Sequence, residues 1–180
     1  MEFKAVLSQL LAAFREHNIR YALMGGFAMG LWGGARSTVD LDFLVSREDI
    51  EKVDAIMRGL GYECRYKSDN VSQYVSPLRV FGEIDFLHAF REASMEMLGR
   101  AEEKIIFGGE LAVRTLIPED LIGLKLQAIR NNPKRRETDM ADIKVLLLLR
   151  GDSVDWPLIE RYCELLDMRV VCEELKRSGE

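Results

Sequence analysis

The stretch that most constrains this chain is a pair of glycines closing a short apolar run, Tyr21-Ala22-Leu23-Met24-Gly25-Gly26. It is followed at a distance by Val39-Asp40-Leu41-Asp42-Phe43-Leu44-Val45. The first run reads as a buried strand ending in residues with unusual backbone freedom. Phe27 to Trp32 then reads as a short helix stopped by Gly33-Gly34. The second run reads as a strand over 39–45. Side chains alternate faces along a strand, so Asp40 and Asp42 share one side while Val39, Leu41 and Phe43 share the other.

On an extended strand the Cα atoms of Asp40 and Asp42 lie about 6.7 Å apart. Two carboxylates so placed can converge on metal ions roughly 3.5–4 Å from each other. Without a cation they oppose one another by about 4 kcal/mol at an effective dielectric of about 20. A lone Asp-x-Asp more often simply faces water, but Asp85 changes the balance. It sits between apolar residues in Gly82-Glu83-Ile84-Asp85-Phe86-Leu87, and an adjacent strand brings it within about 4.8 Å sideways. Three carboxylates from two strands form an oxygen-rich site suited to Mg²⁺, which keeps some waters and is completed by substrate phosphates. Glu83 shares a face with Asp85 and is the substitute third acid. Gly25-Gly26, between a strand and a helix, lets backbone amides approach an anion.

Composition bounds the partners. A net charge of -5 argues against a broad phosphate-tracking surface, leaving Arg130, Lys134, Arg135 and Arg136 as the one local basic cluster of note, itself more often a solvated loop or helix entrance. Cys64, Cys163 and Cys172 form no C-x-x-C pair and read as reduced thiols of a cytoplasmic protein. No export signal is expected from the amino-terminal residues, and no apolar run reaches the eighteen or so residues of a membrane span.

Elsewhere, apolar residues at helical spacing predict an amphipathic helix over 2–17. A second helix over 47–60 is capped by Ser46 and ended by Gly61. Strands are expected over 62–66, 72–76 and 79–87, and Gly108-Gly109 marks a two-residue hairpin. From Pro118 onward the pattern is helical. The chain is expected to divide into an α/β catalytic part, 1–117, and a C-terminal helical part, 118–180. Lys125 falls in the stripe of Leu121, Ile122, Ala128 and Ile129, so its ammonium heads inward and needs a partner. Asp139 and Asp142, in a stripe with Ile143 and Leu146, are candidates for a buried pair with it.

With the glycine pair and the three acids in view, the chain resembles the polymerase-β-like nucleotidyltransferase superfamily. Its signature is a hydrophobic residue, Gly-Gly or Gly-Ser, a spacer, then acid-hydrophobic-acid, here Met24-Gly25-Gly26 and Asp40-Leu41-Asp42; the later third acid falls on Asp85. The run through Trp32-Gly33-Gly34-Ala35-Arg36-Ser37-Thr38 looks most like the abortive-infection (AbiE-type) toxin branch. Many members have Ser where Gly26 stands, so backbone amides, Ser37 or Thr38 must hold the phosphates here.

The resemblance implies a nucleotidyltransferase fold, a mixed β-sheet flanked by helices with a helical C-terminal part. It implies transfer of a nucleoside monophosphate from a nucleoside triphosphate to an acceptor hydroxyl, with release of pyrophosphate. Asp40, Asp42 and Asp85 would be catalytic and hold two Mg²⁺ ions. Gly25, Gly26, Arg36, Ser37, Thr38 and Lys125 would bind the nucleotide, with Asp139 or Asp142 orienting Lys125. The acceptor is open between a small molecule, tRNA and protein, and the last two suit a toxin with a cognate antitoxin. A small acceptor such as an aminoglycoside or lincosamide requires a further acidic or apolar pocket. The rival outside catalysis is a nucleotide- or partner-binding module that keeps the fold.

Overall fold

The apolar runs pair into a seven-stranded mixed sheet in the computed structural model, which describes residues 1–35 and 38–179. Its strands are β1 (Tyr21–Met24), β2 (Leu41–Ser46), β3 (Glu63–Lys67), β4 (Val71–Val75), β5 (Glu83–Ala89), β6 (Glu102–Ile106) and β7 (Leu111–Thr115), in the order β3-β4-β5-β2-β1-β7-β6. At the centre β2 runs parallel to β5 and antiparallel to β1, and β4 runs antiparallel to β5. Contacts divide the chain into one unit of Met1–Ala28 with Arg36–Leu116 and a second of Met29–Ala35 with Ile117–Glu180.

Period-two alternation builds the core of the first unit. Phe43 on β2 and Phe86 on β5 are register partners, and their rings stack at 5.6 Å. Phe14, from α1 (Phe3–Glu16), meets Phe43 edge-on at 5.7 Å. Tyr74 on β4 meets Phe86 in the same manner. All four aromatics are buried, and edge-on and offset rings add stabilisation beyond the area they cover. Because neighbours along a strand face opposite ways, the aromatic face dictates that Asp42 and Asp85 lie on the other one.

Several boundaries depart from the sequence reading, each for a local reason. β2 begins at Leu41, not Val39: the Thr38 hydroxyl donates to the Asp40 carbonyl at 3.1 Å, bending the chain and leaving Val39 70% exposed. The helix after β1, α2 (Gly25–Leu31), starts on the glycines themselves. Ser46 caps nothing. Its hydroxyl instead accepts from Arg20 at 2.9 Å, and a 3₁₀ turn (Arg47–Asp49) leads into α3 (Ile50–Gly59). Gly61 ends that helix at φ +83° as expected.

Between β6 and β7 the connection holds Phe107 through Glu110, because Ile106 pairs with Leu111. Phe107, Gly108 and Gly109 all take positive φ, one more than a two-residue turn admits. The helix α4 (Glu92–Arg100) was not anticipated; it buries only Met97 and Leu98, too few to mark a period.

The second unit contains α5 (Pro118–Asn131), α6 (Arg136–Arg150), α7 (Trp156–Leu165) and α8 (Arg169–Gly179). A Cβ on Gly123 would stand 2.6 Å from the Tyr162 ring, so glycine lets α5 and α7 touch. The Tyr162 hydroxyl donates to buried Asp120 at 2.5 Å. Fully buried Glu119 accepts from Arg150 at 2.9 Å and from the Asp155 amide at 3.2 Å.

Candidate active site

One rung of the sheet organises the acids. Gln73 on β4 is the register partner of Asp85 on β5, Asp85 of Asp42 on β2, and Asp42 of Met24 on β1. Register partners on adjacent strands point to the same face. The rung therefore runs amide, carboxylate, carboxylate, and then reaches the residue before Gly25. Gly25 holds φ +69°, and a Cβ there would come within 2.6 Å of the Asp42 carboxyl carbon. Glycine at this position is what allows the Asp42 side chain to lie over the start of α2. The first amides of a helix have no intrahelical partner, so the acid and those donors share one neighbourhood.

Asp85 is half-buried. Its Oδ2 accepts from the Gln73 amide nitrogen at 3.0 Å, while its Oδ1 is buried with no partner among the described residues. Burial pushes the carboxyl above its ordinary range, the Gln73 hydrogen bond opposes that, and the charges of Asp40 and Glu83 push the same way as burial. Asp40, just ahead of β2, is also held high, chiefly by burial and then by Glu83, with the amino terminus pulling the other way. Glu83 itself is exposed and pairs with Arg65 at 3.3 Å, which leaves Asp85 as the acid turned into the rung.

Among the described residues no three Asp, Glu, His or Cys side chains close into a preformed metal cage. The donors still fit a divalent cation. Asp40 and Asp85 are carboxylates of raised proton affinity, Asp85 presents a buried oxygen that has no partner among the described residues, and a Mg²⁺ site of this kind is completed by substrate phosphates and water. Thr38, expected among the phosphate ligands, directs its hydroxyl to the Asp40 carbonyl. Arg36 and Ser37 lie outside the described residues.

In the second unit, Lys125 is 12% exposed and donates to Asp142 at 2.5 Å and to Asp139 at 3.3 Å. Arg135 also binds Asp139, at 2.8 Å. Burial would raise the Asp139 carboxyl, but Arg135 and Lys125 outweigh it and hold the group below its ordinary range. Two of the four residues of the basic cluster noted in the sequence are paired within their own unit, Arg135 with Asp139 and Arg136 with Glu174 at 2.7 Å. His88 is structural: its ring nitrogens meet the Ser72 hydroxyl at 3.0 Å and the Asp69 carbonyl at 3.1 Å. Gln73 escaped the sequence reading. Its only signal was its place two residues before Val75 on an alternating strand, which has no meaning until the register with Asp85 is known.

A mixed sheet with acids on one face and a glycine turn beside them is the nucleotidyltransferase fold. Residues 2–175 match the model of a family described as uncharacterised nucleotidyltransferases, and the chain belongs to that family. It is a nucleotidyltransferase, a class that generally uses divalent metal ions. Solved structures share the fold. The solution structure of the antibiotic-resistance factor ANT(2'')-Ia matches with a TM-score of 0.69 at 18% identity, covering 100% of both chains. The same factor in complex with adenylyl-2''-tobramycin matches with a TM-score of 0.68 at 18% identity, covering 92% of this chain and 97% of that one. The lincosamide antibiotic adenylyltransferase LnuA, lincomycin-bound, gives 0.56 at 16% identity over 79% and 94%. None of the curated proteins compared with the chain matches it. Among the described residues no helix is long and apolar enough to cross a membrane.

Proposed function

We propose that the chain transfers a nucleoside monophosphate from a nucleoside triphosphate to the hydroxyl of a small-molecule acceptor, using Asp40, Asp42 and Asp85. The observation that carries this reading is the rung that sets Asp85 beside Asp42 with a buried, unpartnered Oδ1. Asp40 and Asp42 hold two Mg²⁺ ions, with Asp85 binding one of them. When bound, the ions supply positive charge to the phosphate oxygens and to the attacking oxygen.

The chain's own residues do the rest. Gly25 and Gly26 bring backbone amides to the triphosphate, and Lys125 with Asp139 and Asp142 is the second contact proposed for its phosphates. The acceptor oxygen attacks the α-phosphorus and gives its proton to Asp85. The bond from the α-phosphorus to the bridging oxygen breaks, and pyrophosphate leaves with the electron pair.

The small-molecule acceptor is favoured by full-length likeness to ANT(2'')-Ia, seen with an adenylylated antibiotic. The abortive-infection branch, with tRNA or protein as acceptor, rests on sequence resemblance alone, in the run from Gly25 through Thr38 to the two acids and in the later stretches Pro118 to Lys125 and Asp139 to Ile143. The test is incubation with each α-labelled nucleoside triphosphate and Mg²⁺ in cell extract, followed by separation of small molecules, RNA and protein. Label should enter the small-molecule fraction, matched by pyrophosphate and absent with Asp42→Asn. Label in RNA or protein would replace the acceptor, and no label anywhere would overturn the reading.

A further inference from the structure

Gln73 does no chemistry in the reaction above, yet its amide hydrogen-bonds Asp85 on the oxygen opposite the buried one, which has no partner among the described residues. We infer that Gln73 is a positioning residue for the third acid: its amide fixes the Asp85 carboxylate so that Oδ1 alone is offered to a divalent cation. The inference rests on the assignment of Asp85 to the cation site and extends it to a residue on another strand.

The geometry gives three reasons. First, Gln73 and Asp85 are register partners, so β4–β5 pairing sets the distance between them; the 3.0 Å bond needs no other support. Secondly, the donor is neutral. An Arg or Lys at that position would cancel the charge that a cation must find, whereas an amide orients the carboxylate and leaves its charge in place. Thirdly, an amide that donates to Oδ2 removes one of the two oxygens from competition. A freely turning carboxylate beside Asp42 and Asp40 could offer either oxygen or both. With Oδ2 engaged, Asp85 presents a single oxygen, and the rotational freedom it would lose on binding a cation has already been lost in folding.

The test measures Mn²⁺ affinity by calorimetry in the presence of a non-hydrolysable ATP analogue. The proteins compared are the parent, Gln73→Met, Gln73→Thr, Asp85→Asn, Asp42→Asn and the double variant Gln73→Met with Asp85→Asn. Met keeps the length without the donor, and Thr keeps strand preference if Met disturbs folding; thermal melting without ligands shows that each variant is folded. Gln73→Met and Gln73→Thr should weaken Mn²⁺ binding by roughly 10- to 100-fold, with no further loss when Gln73→Met is added to Asp85→Asn. That lack of additivity is what a residue acting only on strand stability would not produce. Parental Mn²⁺ affinity in a folded Gln73 variant alongside weakened Asp85→Asn overturns the inference, as do two losses that multiply. A parent protein whose Mn²⁺ binding gains nothing from the nucleotide and is indifferent to Asp42→Asn overturns the cation-site assignment itself, and the inference with it.

Discussion

At the scale of single residues, the site depends on what one atom more or less would do. Gly25 combines φ +69° with a carboxylate lying where a Cβ would go. Gly25→Ala should cost about 1–2 kcal/mol for the left-handed backbone alone and should also push Asp42 aside. Urea denaturation should show the first effect, and Mn²⁺ titration with nucleotide the second. Asp85 carries a different kind of tension. Its carboxyl binds a proton more tightly in the folded chain than its ordinary value of 3.8, so the native state holds protons that the unfolded chain has released, and its contribution to stability falls as pH rises through the folded pKa. Asp85→Asn removes that loss and can still accept from Gln73. Without metal and nucleotide, the variant should melt above the parent at neutral pH, with the gap closing as pH falls toward 3.8. Two melting curves that stay parallel across that range would show that Asp85 is not strained.

At the scale of elements, α5 and α6 are tied by a cation between two acids. Lys125→Met should destabilise the ligand-free protein by about 3 kcal/mol, the low end of the range because Arg135 still faces Asp139. Melting without ligand measures this, and nucleotide affinity measured beside it shows whether Lys125 also serves the triphosphate. Unchanged melting with weakened nucleotide binding would give Lys125 to the nucleotide alone. This pair was legible in the sequence because a lysine in an apolar helical stripe demands a partner, and Asp139 and Asp142 lay in the matching stripe of the next helix. The strand ends were less legible. Val39 belongs to an alternating pattern, but a hydroxyl–carbonyl bond at Thr38 ended the strand sooner than periodicity could show. α4 went unread because a helix that buries two residues leaves almost no periodic trace.

At the scale of the molecule, the sequence carried the acids and the glycines but not the pairing that joins them. Asp42 and Asp85 could each be placed on a face by alternation; that they occupy one rung, with Gln73 beyond, is a property of strand order. The order has a kinetic side. β2 and β5 are parallel neighbours, yet α3, β3 and β4 lie between them in the chain, so their pairing closes a long loop, the slow kind of contact. Two like charges are thereby carried into register by the same event that zips Phe43 against Phe86, before any nucleotide can bring counter-charge. The folding chain thus climbs an electrostatic hill of its own making, one that exists for the sake of what the finished protein binds. Relieving it should speed assembly: stopped-flow circular dichroism at neutral pH should find Asp85→Asn refolding faster than the parent, and the acceleration should shrink in acid. The two carboxylates would then be a toll on folding rate, set by a ligand that is absent while the sheet forms.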